Sequence, residues 1–272
     1  MDDISARSRL VAARVVRATV LADKSPRARG DEKMLLALDW IYKWGWASPS
    51  TLDLLVGTVG RGLGTRLVKR GLLIKTRTQS GGGVKGVPAS VLTLSQTGLE
   101  EIERIRESLL PYELDPYRIR QHQLRHYQLA QLATARNLLK GNLLKSYLTE
   151  KELSARSAAG IKQPDVVWIL QSGAKIAVEV ELSAKWGRDL EHFIHACIQS
   201  LSQAADGSRP RFDMVTISTD SRAIVRRYQA AFQPGSTYSM WKKDAQRRWV
   251  VASAAEVPAW VEGRVVCQLL SL

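Results

Sequence analysis

The sequence predicts an α+β protein of two domains, a mainly helical domain with one β-hairpin followed by an α/β domain built on a mixed sheet. Two stretches of the chain lead to this prediction. Between residues 32 and 102, three helical patterns, two strand patterns and a further helical pattern follow one another. Between residues 163 and 219, two apolar strand patterns separated by a short turn precede a helical pattern and a third apolar strand. Short turns join antiparallel strands and helical crossovers join parallel ones, so the second sheet is predicted to be mixed.

Composition narrows the class of protein. The chain has 272 residues, 45% of them hydrophobic, which is enough for two domains with separate cores. Forty Lys and Arg residues against 26 acidic ones give a formal net charge of +14, which favours a polyanionic partner, nucleic acid first. No apolar stretch approaches the roughly 20 residues of a membrane-spanning helix. The two cysteines lie among apolar neighbours, which excludes a disulfide framework or a thiolate zinc cluster and favours a reducing cytoplasm.

The chain is predicted to consist of a terminal arm and two domains joined by a linker. Residues 1–30 are expected to form a flexible basic arm, because six arginines surround short apolar patches and no uninterrupted signal-peptide core is present. The helical domain is predicted over residues 31–110. Proline-containing residues around 111–116 form a linker, and the α/β domain is predicted over residues 117–272.

The elements of the first domain begin and end at recognisable signals. Gly45 can end the first helix, and Ser48 caps the second with Pro49 at its first position. A glycine-rich stretch leaves open a late start of the third helix, at Gly64 or Thr65, because glycine lowers helix stability. The predicted elements are helices over 32–44, 48–56 and 58–70, strands over 72–78 and 87–94, and a helix from residue 97.

Three helices, a hairpin and a helix in this order resemble a winged helix-turn-helix module. The resemblance implies that the third helix docks in the major groove of duplex DNA and that the hairpin contacts phosphates. The residues expected to contact DNA are Arg61, Arg66, Lys69 and Arg70 on the helix and Lys75, Arg77 and Lys85 on the hairpin. The alternative is a winged-helix protein-interaction module whose basic side chains are only solvated.

The second domain is predicted to begin with a long helix. On this helix, His122 and His126 lie one turn apart, a spacing that can bind a metal ion; the alternative is ordinary packing or hydrogen bonding. A later crossover helix carries Trp186 within its apolar, core-facing pattern. The predicted elements are helices over 119–144, 186–201 and 221–232 and strands over 166–170, 175–182, 212–219, 249–252 and 264–270.

Acidic residues mark one end of the predicted hairpin. Asp165 opens the first strand, and the alternation of the second strand places Glu179 and Glu181 on one face. The hairpin can bring Asp165 across from the end of the second strand, so three carboxylates converge. Like charges this close repel unless they share a proton or a cation, and oxygen ligands suit Mg²⁺ or Mn²⁺. The alternative is an edge hairpin whose polar face meets water.

This segment resembles the core of the PD-(D/E)XK nuclease superfamily, which has the restriction-endonuclease-like fold. Asp165 and Glu179 match the metal-holding acids of that core. Glu181 departs from the commoner lysine and matches a minority form, and Lys185 could act as a migrated lysine. The resemblance implies that Asp165, Glu179, Glu181 and Lys185 are catalytic, that Asp165 and Glu179 hold the metal, and that Glu152 is a further metal ligand.

The combination of both domains is similar to the replication-relaxation family and to mobilisation-protein-C type plasmid relaxases. This likeness implies a cytoplasmic enzyme that nicks double-stranded DNA at an origin of transfer or replication, together with other mobilisation or replication proteins and as a possible homodimer. A covalent intermediate on Tyr127, Tyr147 or Tyr228 is a variant of this mechanism. The alternatives are a DNA-binding regulator or replication accessory protein without catalysis, and a transposition endonuclease.

Overall fold

The structure, a computed structural model, describes residues 25–57, 62–139, 143–154, 163–203, 207 and 209–270. These residues form a mixture of helices and strands, so the predicted α+β class is confirmed. They divide into two compact units. The first unit holds the described residues up to Leu144 together with 151–154, and the second holds Lys145–Glu150 and the described residues from 163 onward.

The first unit follows the predicted order of three helices, a hairpin and a helix. Two 3-10 turns, at Pro116–Arg118 and Gln121–Gln123, precede a further helix. The elements are α1 (Pro26–Trp44), α2 (Pro49–Leu55), α3 (Leu63–Lys69), β1 (Leu73–Arg77), β2 (Ser90–Leu94), α4 (Gln96–Glu103) and α5 (Leu124–Leu139), and β3 (Leu144–Thr149) and α6 (Glu150–Ser154) follow where the units meet in sequence.

The first helix begins earlier than its apolar pattern predicts. Ser25 Oγ accepts a hydrogen bond from the N–H of Ala28 at 3.2 Å, and Pro26 fits the first turn because its missing N–H has no helical partner there. Residues 26–30, which the sequence assigned to the basic arm, are therefore helical. Residues 1–24 of that arm lie outside the described residues.

The third helix packs closely on the hairpin. It begins at Leu63, close to the late start that the glycine-rich stretch left open, and Gly62 precedes it with a left-handed φ of 62° that glycine adopts at little cost. A Cβ at Gly64 would lie 2.5 Å from Cδ1 of Leu92 on β2. A larger residue at position 64 would therefore force the Leu92 side chain to move. Residues 58–61 lie outside the described residues.

Two buried amides attach α5 to the first unit. Gln131 Oε1 accepts a hydrogen bond from Trp40 Nε1 at 2.9 Å, and Gln131 Nε2 donates to the carbonyl oxygen of Trp46 at 3.0 Å. Gln128 Nε2 donates to Ser48 Oγ at 3.2 Å. The sequence instead predicts this helix as part of the domain that starts at residue 117. Apolar spacing shows that a helix is buried, but it does not show against which core the helix packs.

The predicted helix over residues 119–144 is shortened at both ends. His122 lies in a 3-10 turn and is exposed, and His126 lies in α5, where its ring meets that of Tyr127 edge-on at 5.6 Å between centroids. Among the described residues, no group of three or more His, Cys, Asp and Glu side chains is placed to hold a metal ion. The pair therefore acquires no third ligand within that part of the chain.

The second unit is built on a mixed sheet. Its five strands lie in the order β3-β4-β5-β6-β9; β4 and β5 are antiparallel, with Val166 opposite Val178, whereas β5, β6 and β9 are parallel. The predicted mixed pairing is therefore confirmed. The elements are β4 (Val166–Leu170), β5 (Lys175–Val180), α7 (Gly187–Leu201), β6 (Met214–Thr219), α8 (Arg222–Ala231), β7 (Thr237–Lys243), β8 (Trp249–Glu256) and β9 (Val265–Leu269).

Helices α7 and α8 share an aromatic core. The ring of Phe193 meets the rings of Tyr228 and Phe232 edge-on, at 5.5 Å and 6.1 Å between centroids. Strand β7 has no predicted counterpart, because its sequence lacks a clear apolar alternation. It pairs antiparallel with β8 and is also tied to α7, because Glu191 accepts hydrogen bonds from the N–H of Ser239 at 3.1 Å and from Trp241 Nε1 at 2.6 Å.

We expect Gln131→Ala to lower the free energy of unfolding by about 2 kcal/mol, because the indole N–H of Trp40 and the carbonyl of Trp46 each lose a buried partner. Urea denaturation of the full chain measures the change. Gln79→Ala, at an exposed position of the same unit, is the control and should change stability little. Equal effects of the two substitutions would contradict the role of Gln131.

Lys151 of α6 is a partly buried cation beside two stacked tyrosines. Its ammonium lies 5.5 Å from the ring centroid of Tyr42 and 5.1 Å from that of Tyr112, and the two rings are 5.8 Å apart. Burial lowers the pKa of Lys151 to about 8 from its ordinary value of 10.5. The folded protein therefore binds this proton less tightly than the unfolded chain does.

We expect Lys151→Met to raise the free energy of unfolding at pH 7, where both states carry the charge and only the folded state must desolvate it. The gain should shrink as the pH rises from about 8 to 10.5, because the wild-type lysine then loses its proton first in the folded state. Urea denaturation at pH 7 and pH 10 tests this, and a gain independent of pH would contradict it.

Candidate functional site

Asp165 is bound to the end of β5 by two hydrogen bonds. Its N–H donates to the carbonyl oxygen of Val178 at 3.0 Å, and its Oδ2 accepts from the N–H of Val180 at 2.6 Å. Glu179 lies between these two contact points on β5. The structure therefore brings Asp165 to the segment that carries Glu179, as the sequence predicts for a hairpin of this length.

Glu179 and Glu181 project from the same face of the β5 segment. The strand ends at Val180, before the predicted end at residue 182, but Glu181 still pairs with the sheet, since its N–H donates to the carbonyl oxygen of Ser218 at 2.9 Å. Glu179 is half-buried, whereas Glu181 is only 6% exposed. The two glutamates therefore occupy different environments although they share a face.

Glu181 and Lys185 form a closed ion pair at the edge of the aromatic core. The Glu181 carboxylate accepts a hydrogen bond from Lys185 Nζ, and this ammonium lies 4.7 Å from the ring centroid of Phe193. The hydroxyl of Tyr228 is buried there without a hydrogen bond of ordinary geometry. Burial, and after it the negative charge of Glu181, raise the pKa of Tyr228. The predicted third acid of the site is thus neutralised by Lys185.

Asp165 and Glu179 are the two predicted metal ligands that lie on this hairpin. Magnesium keeps several of its waters and is commonly held by one or two carboxylates together with substrate phosphates. Two acids next to a bound phosphate would meet that requirement without a third protein ligand. The two carboxylates therefore suit Mg²⁺ or Mn²⁺ only when a substrate phosphate supplies further oxygen ligands.

Glu152, the predicted further ligand, does not belong to the same compact unit as the acidic hairpin. It belongs to α6 in the first unit, is buried, and its Oε1 lies 3.4 Å from Nζ of Lys43 on α1. A buried carboxylate is stabilised by such a partner, which accounts for its position without a metal.

The predicted DNA-contacting residues that the structure describes are all exposed. Leu63 and Leu67 of α3 are buried, whereas its cations and the Arg70 cap that follows it are exposed, and the rest lie on the β1–β2 hairpin and its turn. These exposed cations are Arg66, Lys69, Arg70, Lys75, Arg77 and Lys85. Arg61 lies outside the described residues. One short helix with its cap and one hairpin of a single unit thus carry six exposed cations, the kind of side chain that contacts phosphates.

Trp186 is the clearest difference between the predicted and observed residues of the second unit. Its place in the apolar pattern predicts a core residue, yet it is 68% exposed, and the guanidinium of Arg227 lies 3.4 Å from its ring centroid. Trp186 precedes α7 instead of lying within it. Gly187 follows Trp186 and begins the helix. This glycine is the signal in the sequence that Trp186 lies outside the row of apolar residues that faces the core.

No family model, curated protein or solved structure matches the chain. Within the described part of the chain, no helix is long and apolar enough to cross a bilayer. The functional interpretation consequently depends on the chemistry of the acidic hairpin and of the basic surfaces.

We expect Glu181→Gln and Lys185→Met each to lower the free energy of unfolding by about 2 kcal/mol, between the values typical of exposed and of fully buried ion pairs, because each leaves a charge without its partner. The double variant should lose much less than the sum of the two single losses. A double-mutant cycle by urea denaturation measures the coupling. Strictly additive losses would show that the two side chains do not interact.

Proposed function

We propose that this chain is a DNA-binding nuclease that cuts one strand of a duplex, with Asp165 and Glu179 as the residues that hold a magnesium or manganese ion. The observation that carries the proposal is the position of Asp165, whose two hydrogen bonds to β5 lie on either side of Glu179. This contact brings together two acids that are 14 positions apart in sequence. It supports the likeness to PD-(D/E)XK nucleases, which predicts these same two residues.

The topology around the acids supports the same proposal. An antiparallel hairpin carries them, and α7 then leads to β6, which pairs parallel to β5. The resemblance implies this sequence of hairpin, helix and further strand. Both β4 and β5 have buried apolar residues, so the carboxylates lie beside covered strands and not on a solvated edge hairpin.

In the proposed reaction, water replaces one ester oxygen on a phosphorus atom of the DNA strand. A cation held by Asp165 and Glu179 would polarise the phosphate and lower the pKa of the attacking water. Glu181 and Lys185 neutralise each other, so they add no net charge next to the phosphate, and we assign them a positioning role. Tyr228 is fully buried, which disfavours it as a covalent nucleophile.

The basic surface of the first unit would supply duplex binding. Its exposed cations neutralise phosphates, and a helix face with a neighbouring hairpin matches the docking mode of winged-helix modules. An origin of transfer or replication is the substrate that the likeness to replication-relaxation proteins implies, and transposon ends are the corresponding substrate of a transposition endonuclease.

A second candidate is a DNA-binding regulator without catalysis. The observation that favours it is the ion pair of Lys185 with Glu181, which occupies the lysine that the nuclease mechanism would use. A protein of this kind should show no Mg²⁺- or Mn²⁺-dependent rise in melting temperature, because only a ligand that binds the folded state stabilises it.

We expect Asp165→Asn and Glu179→Gln to abolish Mg²⁺-dependent nicking of supercoiled plasmid DNA that carries the cognate origin. Agarose gels that separate supercoiled from open-circular plasmid measure the activity. Glu262→Gln, an exposed carboxylate of the same unit, is the matched control and should nick like the wild type. Full nicking by both acid variants would remove the proposed metal site.

We also expect the double substitution of Arg66 and Lys69 by Ala to weaken duplex binding and to reduce the slope of log affinity against log salt by about 0.9 per lost phosphate contact. Fluorescence anisotropy at several salt concentrations measures both quantities. Arg104→Ala, at the exposed arginine that follows α4 as its C-cap, serves as the control. An unchanged slope would show that α3 does not contact the phosphates.

A further inference from the structure

The start of α7 carries an exposed aromatic and cationic surface that neither the acidic hairpin nor the winged-helix likeness accounts for. Trp186 and Trp249 are 68% and 40% exposed, although large aromatic rings are usually buried. Arg188, Arg227 and Lys243 lie over these two rings. We call these five residues the tryptophan surface. All of them belong to the second unit.

One side of the Trp186 ring is covered in a fixed way. The guanidinium of Arg227 lies 3.4 Å from the ring centroid, and Arg227 Nε donates a hydrogen bond to the carbonyl oxygen of Lys185 at 2.9 Å. This bond holds the guanidinium in place over the ring. Because Trp186 is mostly exposed, the rest of the ring is available for a flat ligand to stack on.

The second ring has a similar environment. The guanidinium carbon of Arg188 lies 5.4 Å from the Trp249 centroid and Nζ of Lys243 lies 5.2 Å from it, while the ring of His192 meets it edge-on at 4.8 Å. Arg188 is two positions after Trp186, so the same short segment connects the surroundings of both rings.

Positive charge dominates around the two rings. Of the neighbouring acids, Asp189 is highly exposed and lies 3.6 Å from Arg188, an arrangement that contributes little binding energy in water. Glu191 accepts hydrogen bonds from Ser239 and Trp241 and is thereby used within the fold. Arg247, in the turn after β7, is a further exposed cation, whereas Arg248 in the same turn pairs with Asp244 at 3.0 Å.

We propose that the tryptophan surface binds single-stranded DNA, with unpaired bases stacking on Trp186 and Trp249 and with the adjacent arginines and lysine contacting phosphates. Proteins that hold single strands combine a positive surface with exposed aromatic rings, because every base has a stacking face and every nucleotide carries a charge. A duplex offers the charge without the free base faces. A partner protein that buried these rings would have to desolvate three cations, which is costly unless acids pair with them.

This inference rests on the proposed DNA-binding function and adds the kind of DNA that is bound, but it does not depend on strand cleavage. Trp186 directly follows Lys185, whose carbonyl oxygen binds Arg227. A single strand bound on this surface would therefore pass next to the segment that carries Glu181 and Lys185. Strand separation near a nick is the situation in which such a surface would act.

Fluorescence anisotropy of the full chain with a labelled oligothymidylate of about 20 nucleotides tests the inference, in EDTA so that metal-dependent cleavage does not occur. We expect Trp186→Ala to weaken binding about tenfold, in the range typical of losing one stacked base, and Trp186→Phe to retain most of the affinity. Binding to a duplex of the same length should change less than twofold in both variants.

Trp260→Ala is the matched control. This tryptophan is also exposed, at 42%, and also has an arginine over its ring, Arg264 at 5.2 Å. It lies in the turn before β9, and within the described residues it makes no contact with a second aromatic ring. Its substitution should leave oligothymidylate binding unchanged. Melting curves of all variants verify that the second unit folds, which is expected because the substituted rings are exposed.

Three results would overturn the inference: wild-type oligothymidylate affinity in Trp186→Ala, an equal loss of duplex affinity, or tighter binding of oligouridylate than of oligothymidylate. A change of sedimentation coefficient in Trp186→Ala without any loss of DNA affinity would instead identify the surface as a protein interface. Failure of the proposed nuclease would appear separately, as nicking that survives Asp165→Asn and Glu179→Gln with oligothymidylate binding intact.

Discussion

The acidic hairpin depends on the contact between Asp165 and the end of β5. The backbone N–H of Asp165 bonds to Val178 and its carboxylate bonds to Val180, and Glu179 lies between these two residues. A shift in register would break both bonds and would also turn Glu179 to the other face of the sheet. The residue expected to bind a cation therefore also helps to define strand pairing, so its loss affects the geometry of its partner acid.

Charge is divided sharply between the interior and the surface. The buried acids have internal partners: Glu181 pairs with Lys185, and Glu152 pairs with Lys43. Exposed cations of the described residues lie on two surfaces, the α3 and hairpin surface and the tryptophan surface. The first surface offers cations alone and suits a phosphate backbone, whereas the second adds aromatic rings and suits bases as well.

Local signals predicted much of the fold, and tertiary contacts account for the remainder. β4 has the predicted bounds, and Ser48 caps α2 because side-chain capping is a property of adjacent residues. The hairpin length was also sufficient to place Asp165 near Glu179. Apolar spacing could not show that Trp186 precedes its helix, nor that Lys185 would bind Glu181, because both depend on where the chain turns after β5.

The two compact units are not two consecutive pieces of chain. Lys145–Glu150 belongs to the second unit, while the following residues 151–154 return to the first. No single cut therefore yields either unit whole, and a truncation after residue 116 or after residue 144 would remove part of one core. A continuous fragment that holds the whole of the second unit must therefore also contain residues 151–154 of the first.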